Sequence, residues 1–147
     1  MSSVTTTSPL AATARLVVDT DVASFVFKWR PDLASRYVEI VRGFELVLSF
    51  MTLAEIRHGA LAANWGTRKC EVLETYLADF SVLHSDSLLC LIWAEVRTES
   101  IRKGRPMSSA DAWIAATALA LPAPLVTNNP NDYRHLDKLS LVTASAG

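Results

Sequence analysis

The sequence predicts an α/β protein with a central, mostly parallel β-sheet carrying helices on both faces, and three observations predict it. Short runs rich in Val and Leu, suited to strands buried on both sides, recur along the chain. Segments with apolar residues at helical spacing separate them, the alternation that builds crossover units. The first run, Leu16-Val17-Val18, stops on the carboxylate of Asp19, at the strand end where open α/β sheets take their ligands.

Composition limits what such a protein can be. A chain of 147 residues makes one domain, large enough to fold around a core without staples. A formal net charge of −1 excludes a broad basic surface, so any contact with phosphate must be local. Cys70 and Cys90 form no CxxC pair and have no His at zinc-finger spacing, which reads as two buried or semi-buried thiols in a reducing cytosol. Residues 1–14, rich in Ser, Thr and Ala, lack the basic and apolar regions of a signal peptide and read as a disordered N-terminal extension. No apolar stretch reaches the roughly 20 residues that span a bilayer, so no membrane association is expected.

From Arg15 the elements follow in order. Val22 to Trp29 reads as a helical stretch, and Pro31-Asp32 restarts the pattern with Leu33, Tyr37, Ile40 and Val41, ended by Gly43. Phe44 to Phe50 is a second strand, after which Thr52 and Glu55 have the spacing of a capping box. Thr67 to Asp79 is a helix with Val72, Leu73, Tyr76 and Leu77 as its apolar stripe, and Phe80 to Leu83 is a short strand. Ser85 to Lys103 is a long helix that turns Leu88, Leu89, Ile92, Trp93 and Val96 inward and stops at Gly104. Ser108 or Ser109 caps a helix over Ala110 to Leu121, and Pro122 and Pro124 terminate it. Leu125 to Thr127 and Leu139 to Thr143 are the last strands, joined through a polar turn from Asn128 to Tyr133.

Three carboxylates occupy related places in this scheme. Asp19 ends the first strand, Glu55 follows the second, and Asp111 lies in the first turn of the helix before the fourth. Right-handed crossovers bring such segments to one edge of a parallel sheet, so these acids can converge. Two of them also have a plainer role, Glu55 as the capping-box residue and Asp111 as favourable charge at a helix N-terminus, while nearby Asp21 either caps the first helix or joins the metal site. Oxygen ligands without Cys or His suit Mg²⁺ or Mn²⁺.

Four segments stand in the order of a known family. They are Val17-Val18-Asp19-Thr20-Asp21, Met51 to Ile56, Ala110 to Ala118, and Leu125 to Tyr133 with its Thr127-Asn128-Asn129-Pro130-Asn131-Asp132 core. Together they resemble a PIN domain of the VapC toxin type, over nearly all of Arg15 to Thr143. The resemblance implies a single PIN-like nuclease domain over residues 15–147. It further implies an Mg²⁺- or Mn²⁺-dependent endoribonuclease that acts on RNA, is held inactive by a VapB-like antitoxin, and is a homodimer. Carried over residue by residue, it makes Asp19, Glu55, Asp111 and Asp132 the catalytic acids, with Asp19 and Asp111 as the direct metal ligands. Asn129 stands where many relatives place a carboxylate, and Tyr133 replaces the family's Phe without evident consequence.

The remaining candidates are weaker. Lys28, Arg30, Arg102, Lys103 and Arg105 could touch an RNA backbone, although each also fits a solvated surface charge. His58, His84 and His135 lack metal-ligand spacing, and burial explains Trp93 and Trp113 better than base stacking. Two alternatives to a nuclease stay open: a catalytically silent PIN-like module that binds RNA or protein, and a response-regulator-like or nucleotide-binding domain. The latter lacks a Gly-rich phosphate loop after the first strand.

Overall fold

The computed structural model describes residues 14–27 and 31–144. Among these, five strands and six α-helices follow one another as β1 (Arg15–Val18), α1 (Thr20–Phe27), α2 (Pro31–Val41), β2 (Glu45–Ser49), α3 (Phe50–Ala62), α4 (Thr67–Leu77), β3 (Ser81–Leu83), α5 (Ser87–Arg102), α6 (Ser109–Ala120), β4 (Leu125–Val126) and β5 (Leu141–Val142). The strands form one sheet in the order β3-β2-β1-β4-β5, and every neighbouring pair is parallel. The extension expected over residues 1–14 falls, apart from Ala14, outside the described residues.

Strand alternation divides the core in two. Val17, Val47 and Leu125 point to the face covered by α5 and α6, where they meet Val96, Ile114 and Ala115. Leu16, Val18, Leu48 and Val126 point the other way, against Val22 of α1, Tyr37 of α2, Ala60 of α3, and Leu73 and Leu77 of α4. A strand sandwiched in this way has no solvated face, which is why β1 and β4 read as unbroken apolar runs. Gly43, at φ +84°, takes the left-handed conformation that turns the chain from α2 into β2.

Several expectations need correction. The second strand ends at Ser49, whose hydroxyl accepts the amide of Met51 at 3.0 Å and caps α3, so the Thr52–Glu55 capping box does not form. Thr52 is instead fully buried and Glu55 lies in the second turn. Leu88 and Val72 are exposed rather than inward-facing. In α5 the inward stripe runs through buried Leu89 and Val96 and partly buried Ile92 and Trp93, and Leu88 precedes it by about 100° of helix rotation. Val72 is displaced from Leu73, Tyr76 and Leu77 in the same manner.

Candidate active site

In the strand order, the chain moves from β1 to β2 on one side and later returns to β4 on the other. The crevice beyond the carboxyl ends of β1 and β4 is therefore where the connections diverge, the usual ligand position in open parallel sheets. A cleft of about 130 Å³ lies there. Asp19, Glu55, Asp111 and Asp132 all line it, together with Thr20, Asp21, Asn129 and Tyr133. The four acids come from four separate segments: the end of β1, α3, α6, and a 3-10 turn at Pro130–Asp132.

Asp19 is the most enclosed of them, only 5% exposed. Its Oδ1 accepts the amide of Val22 at 2.9 Å, and its Oδ2 accepts the hydroxyl of Thr127 at 2.5 Å. The cap of α1 expected at Asp21 is therefore made by Asp19, immediately before Thr20. Asp21 instead accepts the side-chain amide of Asn129 at 2.9 Å. Burial pushes the Asp19 carboxyl up to about 6; the two donors oppose the rise, and the charges of Asp21 and Asp111 add to it.

Asp111 enters from the first turn of α6. Ser108 is the cap, its hydroxyl accepting the Asp111 amide at 3.0 Å, while Ser109 supplies only its carbonyl, to Trp93 Nε1 at 3.3 Å. Partial burial raises the Asp111 carboxyl above its ordinary range, followed by the charge of Asp132. Hydrogen bonds from Tyr133 and Ser108 pull it back, and the charge of Glu55 raises it. The Tyr133 hydroxyl donates to Asp111 Oδ1 at 3.3 Å, so a Tyr where the resemblance implies Phe does have a consequence.

Glu55 is held by a hydroxyl chain. Thr20 donates to Glu55 Oε1 at 2.7 Å, and because a hydroxyl has one hydrogen, it accepts from Thr52, 3.0 Å away. Asp132 is exposed at the rim of the cleft.

The basic candidates lie elsewhere or are engaged. Lys103 binds Glu99 at 2.7 Å, Asp137 at 3.0 Å and the carbonyl of His135, and Arg105 binds the carbonyl of Asn131 at 2.9 Å. These cations fasten the segment from Asn131 to Asp137 onto the end of α5. Arg102 lines a different groove of about 630 Å³ with Glu95 and Lys138. Lys28, Trp29 and Arg30 lie outside the described residues. Trp93 and Trp113 are half-buried and stack on each other at 5.1 Å, with Phe50 edge-on to Trp113. His58 and His84 are exposed, and His135 meets Ser100 at 2.8 Å.

Sequence reasoning missed Thr127 as a partner of Asp19. The available signal was positional, since Thr127 is the first polar residue after Leu125-Val126 as Asp19 is after Val17-Val18. The donors that the cleft presents to a divalent cation are oxygens. They are carboxylate, hydroxyl and amide oxygens, which suit a hard ion. Among the described residues no group of three or more His, Cys, Asp or Glu side chains is gathered closely enough to hold an ion unaided. The fit is thus to an ion bound by one or two carboxylates, with water and substrate oxygens completing its shell.

Comparison with known proteins points to the same chemistry. A family model for the PIN domain matches residues 16–139. "Ribonuclease VapC1" of Haemophilus influenzae (strain R2866) is 29% identical over 124 residues, covering 84% of this chain and 92% of that one. The "tRNA(fMet)-specific endonuclease VapC" of Shigella flexneri is 26% identical over 125 residues, 85% of this chain and 94% of that one. Among solved structures, VapBC-1 from nontypeable Haemophilus influenzae superposes with a TM-score of 0.75 at 27% identity, covering 88% of this chain and 98% of that one. VapBC2 from Rickettsia felis, bound to a promoter DNA fragment, gives a TM-score of 0.78 at 23% identity over 88% of this chain and 98% of that one, a likeness of fold.

Proposed function

The chain belongs to the PIN domain family, and from that premise we propose that it is a divalent-metal-dependent endoribonuclease, the toxin of a VapBC-type toxin–antitoxin pair. The observation that carries the proposal is the gathering of Asp19, Glu55, Asp111 and Asp132 around one cleft at the carboxyl edge of the sheet. A silent module that binds RNA would gain nothing from gathered carboxylates, which repel phosphate.

In this reading Asp19 and Asp111 would hold the ion, Mg²⁺ or Mn²⁺, with Asp132 adding negative charge at the rim. When bound, the ion acidifies water and offsets charge developing on the leaving oxygen of a phosphodiester. Thr127 and the Val22 amide fix the Asp19 carboxylate, so its orientation is set before any ligand arrives. Glu55, steadied by Thr20, accepts a hydrogen bond from the attacking water and turns it toward phosphorus. No side-chain nucleophile is required.

Because VapBC-1 from nontypeable Haemophilus influenzae, a similar solved structure, is a VapBC pair, we extend the partnership to this chain: a VapB-like antitoxin covers the acidic cleft, with an Arg pairing its carboxylates. The expected setting is cytoplasmic, as a homodimer, with residues 15–147 as the nuclease domain. No helix among the described residues is long and apolar enough to cross a membrane.

The test is cleavage of single-stranded RNA by the purified full chain with Mg²⁺, with Mn²⁺, and with EDTA. Cleavage that needs either ion supports the proposal, and undiminished cleavage in EDTA overturns its metal dependence. Intact RNA under every condition favours the silent-module reading.

A further inference from the structure

We propose that Tyr133 is a positioning residue for Asp111, its phenol restraining one carboxylate oxygen so that the other is left to the cleft. The proposal rests on the reading of Asp111 as an ion ligand but concerns a residue outside the acidic set.

The ring cannot move away. Tyr133 is 2% exposed and packs in the core with Val17, Val96, Ile114, Leu125 and Leu136. Its backbone is tied on both sides, its amide to the carbonyl of Pro130 and its carbonyl to the amide of Leu136, each at 3.0 Å. The hydroxyl therefore emerges at a fixed point in the cleft wall, 3.3 Å from Asp111 Oδ1. A phenol buried to this degree needs an acceptor, and Asp111 provides it. An un-ionised phenol carries one O–H, and Asp111 Oδ1 is the acceptor it reaches.

Asp111 needs such a restraint. It is half-buried, and Asp132 and Glu55 both repel it. A carboxylate with like-charged neighbours swings toward water unless something holds it. Loss of an orienting partner outside the ligand set typically costs about 10–100-fold in metal affinity. Phe at this position would keep the ring and lack the donor.

The experiment uses the full chain with Tyr133→Phe, read by Mn²⁺ calorimetry and by NMR couplings across the Asp111 χ1 bond in the metal-free protein. Wild type should show one Asp111 rotamer, and Tyr133→Phe should average several. Mn²⁺ affinity should fall about tenfold. On an Asp111→Asn background Tyr133→Phe should cost nothing further. Unchanged Asp111 couplings in Tyr133→Phe overturn the proposal whatever the ion does, as does a full tenfold loss on the Asp111→Asn background. If neither protein binds Mn²⁺ while the couplings still average in the variant, the positioning stands and the ion-ligand reading of Asp111 falls.

Discussion

Thr127 donates its hydroxyl to Asp19 across the seam between β4 and β1, joining two residues 108 apart in the sequence. Each is the first residue beyond the Val18–Val126 register pair, so the parallel sheet itself brings them side by side. The bond is buried and charge-assisted, and it opposes the desolvation that otherwise drives Asp19 toward its protonated form.

Thr127→Val keeps the shape and removes the donor. It should destabilise the protein by about 1–3 kcal/mol at pH 8. The loss should shrink at pH 4, where a protonated Asp19 has less need of the hydroxyl. Urea unfolding at both pH values in EDTA checks it, and an equal loss at the two would contradict the assignment.

The metal-free protein should weaken as pH rises through the range where Asp19 titrates. Its carboxyl has a reference value of 3.8 and stands at about 6 when folded, so between these limits the folded state holds more protons than the unfolded one. The contribution is fully present below the lower value and lost above the upper, about 3 kcal/mol in all. Asp19→Asn, which can still cap α1, should flatten this part of the profile. Denaturation between pH 4 and 7.5 in EDTA distinguishes the two proteins, and Mn²⁺ at pH 7.5 should restabilise wild type alone.

Turnover should behave in the opposite way. Asp19→Asn and Asp111→Asn should remain folded yet lose at least about 100-fold in RNA cleavage, the scale set by removing a single group that stabilises transition-state charge. Substantial cleavage by either folded variant would falsify the roles assigned to these acids.

Thr20 should matter through Glu55. Thr20→Val should lower turnover about tenfold, as expected when an orienting partner is lost, and Thr20→Ser should restore it. Equal rates for the Val and Ser variants would show that the hydroxyl is not involved.

The ion pair between Arg57 and Glu74 provides a contrast. It joins α3 to α4 with a 2.7 Å contact, but both side chains are about half exposed. Glu74→Gln should change stability by less than about 1 kcal/mol and leave cleavage unaltered. Melting curves and RNA assays on the same preparation measure both.

Which parts of this were legible in the sequence depends on how far each relationship reaches. The end of β1 at Asp19 was readable because an apolar run and a carboxylate adjoin in the chain. The setting of Glu55 was not: Thr52 and Glu55 have capping-box spacing, but β2 passes into α3 without a loop and Ser49 takes the cap first. Between Asp19 and Asp21, two carboxylates two residues apart, the choice of cap is decided by Thr127 and Asn129 from the far end of the chain. Lys103 and Arg105 looked available for phosphate because the carbonyls they bind belong to the segment after β4. For Leu88 and Val72, composition gave an apolar residue on a helix, and only the helix's rotation against the sheet decides which side is buried.

The placement of β4 beside β1 also sets when activity can arise during synthesis. Asp19 and Glu55 leave the ribosome early, but a partial chain ending after β3 has neither Asp111 nor the hydroxyl that orients Asp19. At about 5–20 residues per second, the 108-residue interval between Asp19 and Thr127 takes roughly 5–20 s to translate. Until that interval closes, the growing polypeptide lacks β4 and the hydroxyl that orients Asp19, so the cleft cannot assemble with all the residues that line it.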